Sequence, residues 1–234
     1  MAWQWTGPWI GQNLFWCNKI ADTIEVSRLD GSYRKILIED GLQEPRGLEV
    51  HPLRGYLFYT DWGDQPHISR AHMDGTHIER IITQNLAWPN GLTIDYVTEK
   101  IFWSDASLDY ISMADLDGSN QFVVINKNLP HTFALTTFMD YIFWTDWESK
   151  SINRAHKFSG ENRTTIVKTS HRPMDIQVYH KMRQTKEAKQ FTGQISPVKT
   201  AGYDDWTLIS SDDNEIETLH DARHVKNPDG LAAH

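Results

Sequence analysis

The sequence predicts an all-β chain folded as consecutive blades of a β-propeller, about four of them. Three observations carry this reading. A set of motifs recurs four times in one order at a period of roughly 43 residues, the length of a propeller blade. Every repeated element is too short for a helix and rich in aromatic and β-branched residues, as strands are. Asp-Gly pairs at 30–31, 74–75 and 117–118 mark tight turns, where Gly accepts a positive φ.

Each repeat opens on an inner strand: Pro45-Arg46-Gly47-Leu48, Pro89-Asn90-Gly91-Leu92, Phe133-Ala134-Leu135-Thr136 and Arg172-Pro173-Met174-Asp175-Ile176. The aromatic strand follows: Leu14-Phe15-Trp16-Cys17-Asn18, Leu57-Phe58-Tyr59-Thr60-Asp61, Ile101-Phe102-Trp103-Ser104-Asp105 and Ile142-Phe143-Trp144-Thr145-Asp146. A third strand runs into the Asp-Gly turn, as in Ser69-Arg70-Ala71-His72-Met73-Asp74-Gly75. An apolar outer strand completes the blade: Ile36 to Ile38, Ile78 to Ile82, Phe122 to Ile125 and Thr165 to Val167. Blades are expected near 14–44, 45–88, 89–129 and 130–171, with an inner strand at 172–179 that closes the first blade. Residues 1–13 are expected to be irregular and 184–234 to be a disordered acidic tail. A blade buries neither face alone, so the large aromatics are expected between blades.

Composition narrows the function. The chain has 234 residues, 10 Trp, 8 Tyr, 9 Phe, 1 Cys and a net charge of −8. Aromatic richness excludes wholesale disorder. One Cys excludes an internal disulfide and a cysteine-based zinc site. The acidic balance argues against nucleic acid as a partner. No run nears the ~18 apolar residues of a membrane-crossing helix, so direct membrane insertion is not expected. The N-terminal residues lack the basic start and apolar stretch of an export signal.

The aromatic strands Phe58-Tyr59-Thr60-Asp61, Phe102-Trp103-Ser104-Asp105 and Phe143-Trp144-Thr145-Asp146 resemble the Tyr-Trp-Thr-Asp, or class B, repeats of the low-density lipoprotein receptor family. Trp62-Gly63-Asp64, Trp88 to Tyr96 and Asp146 to His156 extend the similarity toward its large endocytic receptor-related members. The resemblance implies a six-bladed ring, of which about four blades are present, and hence a fragment. It implies a non-catalytic module at the extracellular face of the plasma membrane and in endosomes, within a membrane-anchored parent. Protein or lipoprotein ligands and neighbouring receptor modules, an EGF-like module among them, are the implied partners. Ligand binding and acid-dependent release are the implied function. Calcium in the family belongs mainly to modules absent here, so no cofactor or metal is expected.

Two other readings stand beside this one. A metal-dependent six-bladed propeller hydrolase would need several Asp, Glu or Asn residues converging on the axis. The aligned inner-strand positions are Arg46, Asn90, Phe133 and Met174, which supply one ligand, with Asp175 beside them as a second. No Gly-x-Ser-x-Gly, His-Glu-x-x-His or P-loop pattern occurs either. The third reading is a matrix-binding or Wnt-coreceptor-type interaction propeller.

The aspartates that end the aromatic strands are expected to scaffold the blades through hydrogen bonds, not to bind metal. Cys17, in the Thr position of its repeat, is expected to be a small buried hydrophobe. Trp62, Trp88, Asn90 and Trp147 are the candidate ligand face, and the competing reading gives the tryptophans to packing between blades. His67, His72 and His131 are candidate acid sensors on blade rims, against a reading as ordinary exposed polar residues. Asn162-Arg163-Thr164 is a sequon after the Gly160 turn, making Asn162 a candidate glycosylation site.

Overall fold

A computed structural model describes residues 2–6, 13–180 and 207–209. It contains four antiparallel four-stranded sheets. The first holds β1 (Ala2–Thr6), β2 (Asn13–Asn18), β3 (Thr23–Arg28) and β4 (Lys35–Ile38). The second holds β5 (Pro45–His51), β6 (Tyr56–Asp61), β7 (His67–His72) and β8 (Glu79–Ile82). The third holds β9 (Pro89–Asp95), β10 (Lys100–Asp105), β11 (Tyr110–Asp115) and β12 (Phe122–Ile125). The fourth holds β13 (Thr132–Phe138), β14 (Tyr141–Asp146), β15 (Ser151–His156) and β16 (Thr164–Lys168). A two-stranded sheet pairs β17 (Gln177–Tyr179) with β18 (Thr207–Ile209).

Two expectations about the chain ends are corrected. Residues 1–13 are not wholly irregular, because β1 pairs with β2 as the inner strand of the first sheet. The segment 172–179 therefore does not close that sheet; its β17 pairs with β18 instead. The pairing edge of β2 is already filled, and an edge accepts one strand. Apart from β18, the expected disordered tail at 184–234 lies outside the described residues.

Side-chain alternation explains how the sheets stack. Successive residues of a strand point to opposite faces. Phe15, Cys17, Ile24 and Ile38 of the first sheet cluster with Leu48, Val50, Leu57, Tyr59 and Ala71 of the second. Phe58, Ile68 and Ile82 of the second cluster with Leu92, Ile94, Ile101, Trp103 and Ala114 of the third. Phe102, Ile111 and Ile125 then cluster with Leu135, Ile142, Trp144 and Ala155 of the fourth. Each motif Phe thus faces the following blade, and the next residue (Tyr59, Trp103, Trp144) faces the preceding one. Burial of one such ring contributes about 1.5–3 kcal/mol. Cys17 is fully buried, and desolvation raises its thiol pKa, so it packs as a hydrophobe.

The inner strands stack β1 on β5, β5 on β9, β9 on β13 and β13 on β17. This close approach sets two residue choices. The β5–β6 register slips between Pro45 and Leu48, a β-bulge that takes the Gly47 N–H out of the ladder. That N–H donates instead to Thr60 Oγ1 at 2.7 Å. Ser104 Oγ accepts from the Gly91 N–H at 3.3 Å, and Thr145 Oγ1 from the Ala134 N–H at 3.0 Å. A Cβ on Gly47 would lie 2.6 Å from the Asn90 carbonyl oxygen, and one on Gly91 2.8 Å from that of Phe133. The hydroxyl in the aromatic motif and the Gly in the inner-strand motif are therefore one device.

Candidate ligand-binding face

The antiparallel order places the ends of the aromatic strands beside the starts of the inner and third strands, on one face of the stack. The Asp-Gly turns, which follow the third strands, lie on the opposite face. The motif aspartates build the first face. Asp105 is fully buried and accepts from the N–H groups of Ala87 (2.7 Å), Trp88 (3.0 Å), Ser107 (3.0 Å) and Leu108 (3.0 Å). Asp61 accepts from the Gln43 N–H at 2.9 Å and the Gly63 N–H at 2.8 Å. Asp146 accepts from the His131 N–H at 3.1 Å and the Ser149 N–H at 2.8 Å. Each carboxylate ties the segment entering its own blade to the turn that follows it. In the first sheet Asn18 makes the local contact, accepting from the Ile20 N–H at 3.1 Å, and donates from Nδ2 to Glu25 Oε1 at 3.0 Å.

These anchored segments carry the aromatic side chains. Trp62 donates from Nε1 to the Pro89 carbonyl at 3.0 Å, and Trp147 likewise to the Pro173 carbonyl at 2.9 Å. Trp62 therefore latches the start of β9, Trp147 the segment leading into β17, and both indoles remain half-buried. Trp62 stacks on Trp88 at 5.8 Å and 16°, and the Arg46 guanidinium lies 4.0 Å from the Trp62 ring centroid. Trp88 is 47% exposed. Beside this pair is an open groove of about 500 Å³, lined by Asp22, Gln43, Glu44, Asp64 and both tryptophans. Trp147 carries a second stack, with Phe133 at 4.2 Å and His131 at 5.5 Å. The packing and ligand-face readings of Trp62 and Trp147 are thus compatible: the indole N–H is spent on packing while part of the ring stays accessible.

Asn90 differs from its expected place on the ligand face, being only 4% exposed. Its Nδ2 donates to the Thr132 carbonyl at 3.1 Å, joining the third sheet to the fourth, and its buried Oδ1 has no hydrogen-bond partner among the described residues. The candidate acid sensors do not form one cluster. His67 is buried, not on a rim; its Nδ1 lies 2.9 Å from the Gln65 carbonyl, and burial lowers its pKa. A strand's first residue points inward or outward by register alone, which local polarity does not reveal. His72 is exposed on the opposite face, stacked on His77 at 4.3 Å. Only His131 lies on the aromatic ledge. Asn162 is exposed in the turn between β15 and β16.

Two polar joints escaped sequence reasoning. His51 is buried, with Nε2 3.3 Å from Glu99 Oε1, and burial is the largest influence lowering its pKa. Lys157 Nζ meets Asp95 Oδ2 at 2.5 Å with both side chains buried. His51 and Asp95 are the last residues of consecutive inner strands, each pairing with the following blade. That shared position was the one available signal. Among the described residues, no three His, Cys, Asp or Glu side chains gather as a metal site would require.

Comparison with known proteins accords with this architecture. The model of the low-density lipoprotein receptor repeat class B matches residues 12–52, 55–96 and 99–138, over half of the chain. The human low-density lipoprotein receptor-related protein 5-like protein is 35% identical over 68% of this chain and 63% of its own length. The vitellogenin receptor Yl of Drosophila melanogaster is 35% identical over 75% of this chain, but over only 9% of its own length. A chain from a crystal structure of a nidogen/laminin complex superposes with a TM-score of 0.62 and 32% identity, covering 68% of this chain and 59% of that one. This chain thus spans less than two thirds of these relatives. It belongs to the low-density lipoprotein receptor repeat class B family.

Proposed function

We propose that the chain is a non-catalytic, extracellular interaction module of a lipoprotein-receptor-related protein, meeting protein or lipoprotein ligands on its aromatic face. The observation that carries this is the Trp62–Trp88 stack beside an open groove, backed by the buried Arg46 guanidinium and held by the buried carboxylates of Asp61 and Asp105. Rigid aromatic anchors are a common source of binding energy at protein interfaces. Relatives named as receptors, and a similar chain in a nidogen/laminin complex, support a protein ligand. The axial positions do not favour the hydrolase reading: Arg46, Phe133 and Met174 offer a cation no ligand, and Asn90 with the neighbouring Asp175 supplies two where several must converge.

Acid-dependent release, the endosomal part of the proposal, rests on His131. Its imidazole stacks on Trp147, and the Arg172 guanidinium lies 5.6 Å from the centroid of the same ring.

The test uses the chain displayed on a cell surface and three probes: vitellogenin, low-density lipoprotein and laminin. At least one probe should bind, and Trp88→Ala should weaken it about tenfold or more without loss of fold. Binding of none, or binding indifferent to both Trp88→Ala and Trp147→Ala, would contradict the reading. Equal affinity at about pH 7 and about pH 5 would remove the release step alone.

A further inference from the structure

We propose that Asn162 carries an N-linked oligosaccharide, which occupies the face of the blade stack opposite the aromatic ledge. Asn162-Arg163-Thr164 is the chain's one Asn-x-Ser/Thr sequence in which x is not Pro. Of the sequence's other asparagines none meets the pattern, so the position is specified without competition.

The geometry fits the modification. Asn162 sits in the β15–β16 turn with φ 54°, a left-handed value that asparagine adopts readily. The residue is exposed, and among the described residues no hydrogen bond engages its side-chain amide, whereas its neighbours Arg163 and Thr164 are held by theirs. Those neighbours hold the turn still. Arg163 donates to the carbonyls of Lys127 (2.7 Å) and Asn128, and lies 5.0 Å from the Trp144 ring centroid. Gly160 approaches the third sheet so closely that a Cβ would fall 2.5 Å from the Val124 carbonyl oxygen. The residues flanking Asn162 are thus committed to the adjacent blade, while Asn162 projects outward. Modification there costs the blade joint nothing.

Topology fixes the side on which the sugar lies. β14 ends at Asp146, beside the start of β15 at Ser151, and β15 carries the chain to the other end of the sheet before the turn. The oligosaccharide therefore leaves Trp147, Trp88 and the groove open. In the transfer, Asn162 Nδ2 bonds the anomeric carbon of a lipid-linked oligosaccharide. The carbon–oxygen bond to the lipid diphosphate breaks, the diphosphate leaves, and the amide proton passes to solvent. Access to the secretory lumen, which this requires, rests on the extracellular reading above.

The full chain, placed behind a secretory leader, is translated with microsomes. Lumenal entry is read by protease protection, and the sugar by N-glycanase sensitivity and peptide mass. Protected wild-type chain should carry one oligosaccharide, on Asn162. Asn162→Gln and Thr164→Ala should abolish it, and Thr164→Ser should retain it. D30N, which creates a second sequon with Gly31 and Ser32 at an exposed turn, should be modified even in the Thr164→Ala background. Protected wild-type chain without sugar, while the D30N chain is modified, would overturn the proposal. So would a sugar that persists in Asn162→Gln.

Discussion

Replacement of Asp105 by Ala removes the acceptor of four backbone N–H groups at once. Those of Ser107 and Leu108 lie on an exposed turn, where water can replace the carboxylate. Those of Ala87 and Trp88 lead into β9 and are part-buried. Two bonds to a charged acceptor, at about 1.5–3 kcal/mol each, give roughly 3–6 kcal/mol; partial solvation lowers this to about 2–4 kcal/mol. Urea unfolding followed by tryptophan fluorescence reads the change. With m near ~2 kcal/mol/M, the midpoint should fall by about 1–2 M at unchanged m. Asp105→Asn, which keeps one acceptor but turns an amide toward the other donors, should fall between wild type and Ala. A midpoint lowered by less than about 0.3 M in Asp105→Ala would refute the scaffolding role. The aspartate would then be free for a function the geometry does not suggest.

Gly47→Ala should destabilise by about 1–3 kcal/mol, because its Cβ would sit 2.6 Å from a backbone oxygen of the next blade; a neutral thermal shift would show that the inner strands can separate. Lys157→Met should cost about 2–4 kcal/mol in denaturant by removing the cation from the buried Asp95, which keeps its bonds from the Val97 N–H and the Thr98 hydroxyl, and Lys157→Met with Asp95→Asn should recover part of it. His51 and His67 have folded-state pKa values below the ordinary value, so the unfolded chain binds protons first as pH falls. Their stability is complete above about pH 6.5 and declines as pH drops below it, levelling once the folded-state pKa values are passed; His51→Gln with His67→Gln should flatten that slope.

The blade architecture was legible because each repeat carries its own punctuation, from Pro45-Arg46-Gly47 through Asp61 to Asp74-Gly75. The scaffolding aspartates were legible for the same reason: recurrence at a strand end points to the frame, not to one site. What was not legible depends on partners distant in sequence. β1 reads Ala-Trp-Gln-Trp-Thr and lacks the Pro-x-Gly signature of the other inner strands, so its pairing with β2 left no trace. His51 looks like any strand-end histidine until Glu99 meets it across a blade joint. Asn90, set between Pro and Gly at a strand entry, reads as part of the ligand face, yet the stacking of β9 on β13 buries it.

The aromatic ledge is the center of the account, and an amide-exchange footprint of the chain with a bound probe tests it most directly. Protection should appear at residues 43–47, 62–64, 87–91 and 131–134, around Trp62, Trp88 and His131. Protection confined instead to the Asp-Gly turns at 30–31, 74–75 and 117–118 would place the ligand on the opposite face and contradict it.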